Sequence, residues 1–308
     1  MADSKRSARR SDPKVMVEDR RFLVLTGAEG VGDEVVDACS KALGPRSEEP
    51  RRLSRDAVEI RFSGFGSEDD ILTRALCEAR VDANFVVEAD RRKRLLIADM
   101  DSTIIGVECI DELADFAGVK AEVELVTEAA MRGDLDFEGA LIERVALLSG
   151  LHEGVLADCF EQRVALNPGA RVLVRTMRAH GADTALVSGG FTFFAERVAR
   201  AAGFGESRAN VLRIREGRLT GEVARPILGQ AAKVEALREY SGRGGYAANS
   251  VVAVGDGAND RGMIEAAGLG IAFRAKPTLS AVADARLDHS DLTAVLALQG
   301  IHEREWVV

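Results

Sequence analysis

The chain has 308 residues, 46% of them hydrophobic and 30% charged, with a formal net charge of -9, enough for one large domain and a smaller one. That acidic balance excludes a general binder of nucleic acid or of an anionic membrane surface, because such proteins neutralise phosphates with surplus Lys and Arg, so an anionic ligand must be held by a local site. No window approaches 18 consecutive apolar residues, which excludes a transmembrane helix, and the four cysteines, Cys39, Cys77, Cys109 and Cys159, form no CxxC pair and suit reduced, packed thiols in a cytoplasm.

Residues 1–20 are basic and Ser-rich, lack the apolar stretch of a secretory signal, and are expected to form a disordered tail. From Arg21 the pattern becomes periodic. RFLVLTG reads as a strand, GDEVVDACSKALG as an amphipathic helix, DAVEIRFSG as an alternating strand, SEDDILTRALCEAR as a helix and NFVVEA as a strand, so 21–90 is predicted to be a small α+β domain. GAEGVG, 27–32, has neither the spacing nor the acidic partner of a dinucleotide fingerprint and reads as a turn. The charged link DRRKR, 90–94, marks the domain boundary.

The second domain is predicted over 95–300. LLIAD is an apolar strand ending in Asp99, with Asp101 two residues on. Four helical patterns follow, ECIDELADFAG, VELVTEAAMRG, FEGALIERVALLSG and GVLADCFEQRV, a helical insertion over about 106–166. Strand and helix then alternate: PGARVLVRTMRAHG helix, DTALVSGG strand, FTFFAERVARAAG helix, NVLRIREGRLTGEV hairpin, KVEALREYSG helix, SVVAVGDGAND strand, GMIEAAG helix and LGIAF strand. Apolar strands separated by amphipathic helices predict an α/β fold with a doubly wound parallel sheet, in which ligands sit beyond the carboxyl ends of the strands. Those ends carry Asp99 and Asp101, Ser188 and Gly189, and Asp256 and Asp260.

Acidic groups brought to one sheet edge from two strands repel one another unless a cation lies among them, and all-oxygen ligation suits Mg2+, so Asp99, Asp101 and Asp256 propose a metal site. The plainer reading, that each aspartate only caps the next helix, weakens because the pattern recurs at two strand ends as DxD and GDGxND. A carboxylate beside Mg2+ can attack phosphorus and form an aspartyl-phosphate. Asp99 is then the nucleophile and Asp101 the group that protonates the leaving oxygen and later activates water. Ser188 and the Gly189 amide, at a strand-to-helix turn, would supply donors to phosphoryl oxygens. Lys233 in GQAAKVEAL would add a positive charge, although a lysine there ordinarily reads as a solvated surface residue.

Taken in order, DMDST, SGG, a later Lys and GDGAND resemble the four motifs of the haloacid dehalogenase superfamily. The longer stretches VECIDELADFAG, MRGDLDFEGALIERVALLSGL, VSGGF and VAVGDGANDRGMIEAAGLGIAFRAKP resemble, more narrowly, the phosphoserine phosphatase family over nearly all of 95–300. The resemblance implies an inserted helical cap over the site and hydrolysis of O-phospho-L-serine to L-serine and phosphate, the last step of serine biosynthesis. It implies Asp99 as the phosphorylated nucleophile and Asp101 as acid/base with its backbone carbonyl on Mg2+. Asp256 would be a direct Mg2+ ligand, and Asp260 would support the metal's water or Lys233 without ligating. Ser188, Gly189, Lys233 and Asn259 would contact the phosphate. From the cap, Glu108 would bind the substrate's amino group and Arg144 its carboxylate, with Met131 and Phe137 closing the apolar side. A zwitterion does need one anion and one cation, and Arg grips a carboxylate through two parallel bonds; from its spacing alone, Arg144 reads as part of a solvated helix face.

The domain at 21–90 resembles an ACT-like regulatory fold, short of its full strand count unless RRLSRDAVEI holds two strands. A structural or dimerising appendage, giving a homodimer, and an amino-acid sensor are both open readings. The residues also leave open a different phosphomonoester substrate, phosphoryl transfer to another hydroxyl, and a catalytically silent sensor. His152, His180, His289 and His302 lack metal-ligand spacing and read as surface or helix-end residues, and Trp306 as packed at the sheet edge or exposed.

Overall fold

The computed structural model describes residues 20–63, 79–132 and 134–308. The expected tail, most of the helix expected at 67–80, Cys77 and the side chain of Met131 lie outside what is described.

The first unit runs β1 (Arg20–Thr26), α1 (Asp33–Leu43), β2 (Arg51–Ser54), β3 (Ala57–Ser63) and β4 (Asp82–Val87). RRLSRDAVEI does hold two strands, parted at a turn where the Asp56 N–H donates to Ser54 Oγ at 3.1 Å. The sheet order is β2-β3-β1-β4, with antiparallel pairing throughout. Both of its faces are buried. Leu23, Leu25, Val58 and Ile60 pack with Val36 and Cys39 of α1, while Phe22, Val24, Ala57 and Val86 face the large core of the rest of the chain.

That core begins with β5 (Leu95–Ala98) and a tight turn at Met100–Ile104, then the helices α2 (Cys109–Ala117), α3 (Lys120–Arg132), α4 (Phe137–Ala146) and α5 (Gly154–Arg163). It continues through α6 (Ala170–Ala179), β6 (Asp183–Phe191), α7 (Thr192–Ala202), β7 (Glu206–Asn210), the hairpin β8 (Leu212–Arg215) and β9 (Arg218–Val223), α8 (Gln230–Gly244), β10 (Val251–Gly255), α9 (Arg261–Ala266), β11 (Leu269–Phe273), α10 (Pro277–Ser280), β12 (Ala285–Leu287) and α11 (Ala294–Leu298). The six-stranded parallel sheet has the order β12-β11-β10-β5-β6-β7. Every residue of β5, β10 and β11 is buried, because helices cover both faces. From β5 the chain steps one way to β6 and β7 and later the other way to β10, β11 and β12. The crevice between β5 and β10 is therefore the topological switch point.

The expected parallel core and four cap helices are present. Two strands beyond those expected are present, β7, whose ESRAN is polar, and β12, which is three residues long; both are edge strands with little apolar pattern. Among the described residues no helix is long and apolar enough to cross a membrane. Cys39, Cys109 and Cys159 are buried free thiols. His152, His180 and His289 are exposed, His302 caps the last short turn, and Trp306 packs half-buried against the core.

The two units are joined by polar clamps. Asn84 of β4 donates Nδ2–H to the Arg286 carbonyl and accepts the Arg286 N–H, both at 2.8 Å, so a side-chain amide takes the place of a neighbouring strand along β12 and blunts that edge. Asp82 accepts from the backbone N–H of Asp288 at 2.9 Å and from Ser290 Oγ at 2.6 Å. Within the charged link, Arg91 is not solvated: it donates to the last carbonyls of α11, Leu298 at 2.8 Å and Ala297 at 3.1 Å, pairs with buried Glu59 at 2.7 Å, and lies over the Phe22 ring.

The cap is tied to the core at two places. Ile105 and Leu166, where the chain enters and leaves it, form an isolated bridge, and the Asn167 side chain donates to the Thr103 carbonyl at 2.8 Å. On the far side the β8–β9 hairpin bonds to the loop after α4, with Gly150 N–H to Leu219 O at 2.8 Å and Leu219 N–H to Leu151 O at 2.9 Å.

Candidate active site

Asp99 follows β5 directly and Asp256 follows β10, so the two carboxylates flank the switch point. They are not left to repel their sequence neighbours, because the turn after β5 sends successive side chains to different partners. The Asp99 carboxylate accepts the Met100 N–H at 2.8 Å and meets Lys233 Nζ at 2.6 Å. Asp101, in extended backbone, turns to the first turn of α2: its Oδ1 accepts the Cys109 N–H at 2.9 Å and its Oδ2 accepts from Ser188 Oγ at 3.1 Å. Directly after Asp101, Ser102 sits at φ 55°, a left-handed conformation that costs a non-glycine residue on the order of 1 kcal/mol or more; its hydroxyl donates to Glu108 Oε1 at 2.7 Å. Thr103, fully buried, donates to Asp256 Oδ1 at 2.9 Å.

Lys233 decides the electrostatics. It is fully buried and bridges Asp99 Oδ1 and Asp260 Oδ1, each at 2.6 Å, so the surface-lysine reading fails for a reason no local pattern carries. Burial pulls against its charge, but the two carboxylates outweigh it and hold the ammonium protonated. Burial and the neighbouring Asp260 raise the Asp99 carboxyl well above its usual range, against the pull of Lys233. Asp101 is pushed up to about 6, by burial first and Glu108 second. Asp256 is likewise pushed up to about 6, by burial and then by Asp260.

The oxygens of Asp99, Asp256 and Asp260 lie within 4.8 Å of one another, an acidic cluster able to hold a cation. Within it Asp260 is already engaged: Oδ1 takes Lys233, and Oδ2 accepts the backbone N–H of Asp256 at 3.2 Å and of Gly257 at 3.1 Å. Asp99 and Asp256, whose bonds fall on Oδ1 alone, are the less engaged carboxylates of the three. The glycine before Asp256 is required, since a β-carbon on Gly255 would lie 2.5 Å from Asp260 Cγ.

Ser188 is fully buried at the end of β6, accepting the Gly190 N–H at 2.8 Å while donating to Asp101. The two glycines after it are needed for space. A β-carbon on Gly189 would lie 2.9 Å from Phe137 Cζ, and one on Gly190 would lie 2.8 Å from Asp101 Oδ2. Phe137, the first residue of α4, thus rests directly on the Gly189 turn, which places the cap over the crevice. Asn259 is half-buried with its Oδ1 folded back over Gly257.

Glu108 is exposed at the N-terminus of α2. Arg144 is half-buried, with Nε on the Ala140 carbonyl of its own helix at 3.3 Å. Burial lowers its pKa, opposed by the charges of Asp111, Glu108 and Asp101. Asp111, Thr103 and Asn210 were not anticipated from sequence. Thr103 lies inside DSTII and was within reach; Asp111 looks like any first-turn acid of a helix, and Asn210, expected to open the hairpin NVLRIREGRLTGEV, ends β7 instead.

Comparison with known proteins bears on the same residues. The sequence model of the haloacid dehalogenase-like hydrolases matches residues 96–265. Phosphoserine phosphatase SerB2 of Mycobacterium tuberculosis is 46% identical over 238 residues, covering 76% of this chain and 58% of that protein, so the chain spans about three-fifths of that relative's length. Among solved structures, a probable phosphoserine phosphatase from Vibrio cholerae, in unliganded form, superposes with a TM-score of 0.78 at 30% identity, covering 92% of this chain and 88% of the other. A phospho-aspartyl intermediate analogue of phosphoserine phosphatase superposes with a TM-score of 0.62 at 38% identity, covering 67% of this chain and 98% of the other.

Proposed function

The chain belongs to the haloacid dehalogenase-like hydrolase family, and from that footing we propose that it hydrolyses O-phospho-L-serine to L-serine and phosphate. The observation that carries this reading is one crevice in which a nucleophile candidate, Asp99, and an acid/base candidate, Asp101, stand two residues apart yet answer to different partners. Identity of 46% to one phosphoserine phosphatase, and a fold shared with a phospho-aspartyl intermediate analogue of another, support it.

Asp99 attacks phosphorus and the bond from phosphorus to the serine oxygen breaks, while Asp101 gives its proton to that oxygen. A carboxyl pushed up to about 6 is suited to carrying that proton near neutrality. Asp101 then takes a proton from water, whose oxygen attacks the aspartyl-phosphate; the bond to Asp99 breaks and phosphate leaves. Ser188, the Gly189 N–H and Lys233 bind the phosphoryl oxygens as charge gathers on them. Asn259, beside Gly257, adds a polar group to the same wall. Phe137 closes the apolar side and excludes water, while Glu108 and Arg144 select the amino and carboxylate groups of the substrate.

We read the cation as Mg2+, held by Asp99, Asp256 and the Asp101 carbonyl, since the donors are hard oxygens and Asp260 is committed to Lys233. When bound it supplies positive charge to the transferring phosphoryl group. The unpaired thiols suit a cytoplasmic setting.

The deciding experiment is phosphate release from O-phospho-L-serine with Mg2+ and with chelator, beside p-nitrophenyl phosphate, for the unmodified chain and Arg144→Ala. Release should be metal-dependent, and Arg144→Ala should raise KM for phosphoserine about 100-fold, a lost charge-assisted pair, with little change for p-nitrophenyl phosphate. Equal losses on both substrates would remove Arg144 from substrate recognition.

The raised carboxyls also predict how cation and pH interact. In the absence of a cation, Asp101 and Asp256 titrate near 6 when folded and near 4 when unfolded, so the stability they contribute is present below pH 4 and lost as pH rises to about 6. A cation ligated by Asp256 competes with its proton and reverses that part of the loss. Thermal unfolding at pH 5 and pH 7.5 should show a Mg2+-induced rise in Tm that is small at the lower pH and several degrees at the higher. An equal rise at both would speak against carboxylate ligation.

A further inference from the structure

The Asn210 side chain, at the carboxyl end of β7, is buried and uses every donor it has. Its Nδ2 donates to the Gly189 carbonyl at 2.9 Å and to the Leu228 carbonyl at 3.1 Å, and its Oδ1 accepts the Leu228 N–H at 2.7 Å. Strands disfavour Asn, and the remainder of β7 is a half-exposed edge, so the strand itself does not call for a carboxamide here.

What the carboxamide joins is the phosphate-facing side of the crevice. The peptide unit whose carbonyl it holds also carries the Gly190 N–H, which donates to Ser188 Oγ at 2.8 Å; Ser188 in turn donates to Asp101 Oδ2 at 3.1 Å. One line of donors, all pointing the same way, therefore runs from the Leu228 N–H through Asn210, the Gly189–Gly190 peptide and Ser188 to the Asp101 carboxylate. Bonds aligned in this sense polarise one another. Leu228 lies in the strap returning from the hairpin, and Gly229 after it is the N-cap of α8, which carries Lys233. Gly189 and Gly229 are also the two backbone positions on which Phe137 rests, at 2.9 Å and 3.1 Å from the β-carbon each would carry.

We propose that Asn210 is a positioning residue for phosphate: it locks the Gly189 turn to the strap before α8, so that the Gly189 N–H, Ser188 and Lys233 converge on one phosphoryl group. This deepens the phosphatase reading of the site and does not depend on phosphoserine being the substrate.

Two variants test it. Asn210→Asp keeps the volume and the acceptor for Leu228 but loses both amide donors, and Asn210→Ala loses all three bonds. With Mg2+ present and well below each variant's Tm, inhibition by inorganic phosphate should weaken about 10-fold, the loss of about one hydrogen bond's worth of positioning, and KM for p-nitrophenyl phosphate and phosphoserine should rise by the same factor. A purely structural role would lower Tm and leave the phosphate inhibition constant where it was, and that result overturns the proposal for any variant that folds. In the unmodified protein, binding of orthovanadate should shift the Asn210 side-chain 15N–1H resonances; resonances that do not move overturn it as well, even if neither variant folds. Turnover of p-nitrophenyl phosphate without turnover of phosphoserine would refute the substrate assignment and leave this test intact.

Discussion

Asp99→Asn should lower kcat for phosphoserine by at least about 10^4-fold, the scale on which losing a covalent nucleophile is felt. The substitution is nearly isosteric. Its amide oxygen still accepts the Met100 N–H, and Lys233 keeps its bond to Asp260 at 2.6 Å, so the chain should fold with its ammonium still paired. The loss should therefore lie in chemistry and not in binding: KM for whatever activity survives stays within a few-fold, and no phosphorylated protein is trapped by rapid acid quench, whereas the unmodified chain yields an acid-stable acyl phosphate on Asp99. Asparagine retaining more than about 1% of the activity would transfer the nucleophile's role elsewhere and unmake the mechanism.

The second large effect is expected at Lys233. Lys233→Met removes the cation that bridges Asp99 and Asp260, and it leaves two buried carboxylates facing a side chain that cannot donate. Breaking a buried pair from one side costs about 3 to 5 kcal/mol, because the remaining charge is uncompensated. Here two carboxylates share the loss, and Asp99, already raised by burial and by Asp260, is driven further toward the neutral form, which is not a nucleophile. Activity should fall about 10^3-fold through this and through the missing charge on the phosphoryl oxygens. Chemical denaturation should show the lost stability, and Mg2+ should return part of it, since a divalent ion among the same carboxylates neutralises them in place of the ammonium. A Lys233→Met protein as stable as the parent without metal would mean that the triad is held together by its hydrogen bonds to backbone rather than by charge.

Both effects trace to residues whose positions were legible to very different degrees. Asp99, Asp101 and Asp256 stand at the ends of apolar runs with no helical period, and a buried parallel strand ending in a carboxylate is readable because burial on both faces writes a continuous apolar word. Lys233 is the opposite case. Its helix reads as an amphipathic surface element, and only the packing of α8 against β5 and β6 turns that side chain inward. Asn210 is less legible still, since a polar five-residue edge strand offers neither alternation nor an apolar run.

The chain by itself determined the alternation of strands and helices, the helical insertion after the first core strand, and which carboxylates gather at the sheet's edge, because these follow from periodicity and from strand ends, which are local properties. Only the tertiary structure decided how Asp99 and Asp101 divide their partners, that Asp260 is spent on Lys233, that Phe137 seats the cap on Gly189 and Gly229, and that Arg91 and Asn84 clamp the first unit to the core. Each of these depends on contacts between residues tens to hundreds of positions apart, and the cost of burying a charge or an amide is settled by the partner it finds there rather than by its neighbours along the chain.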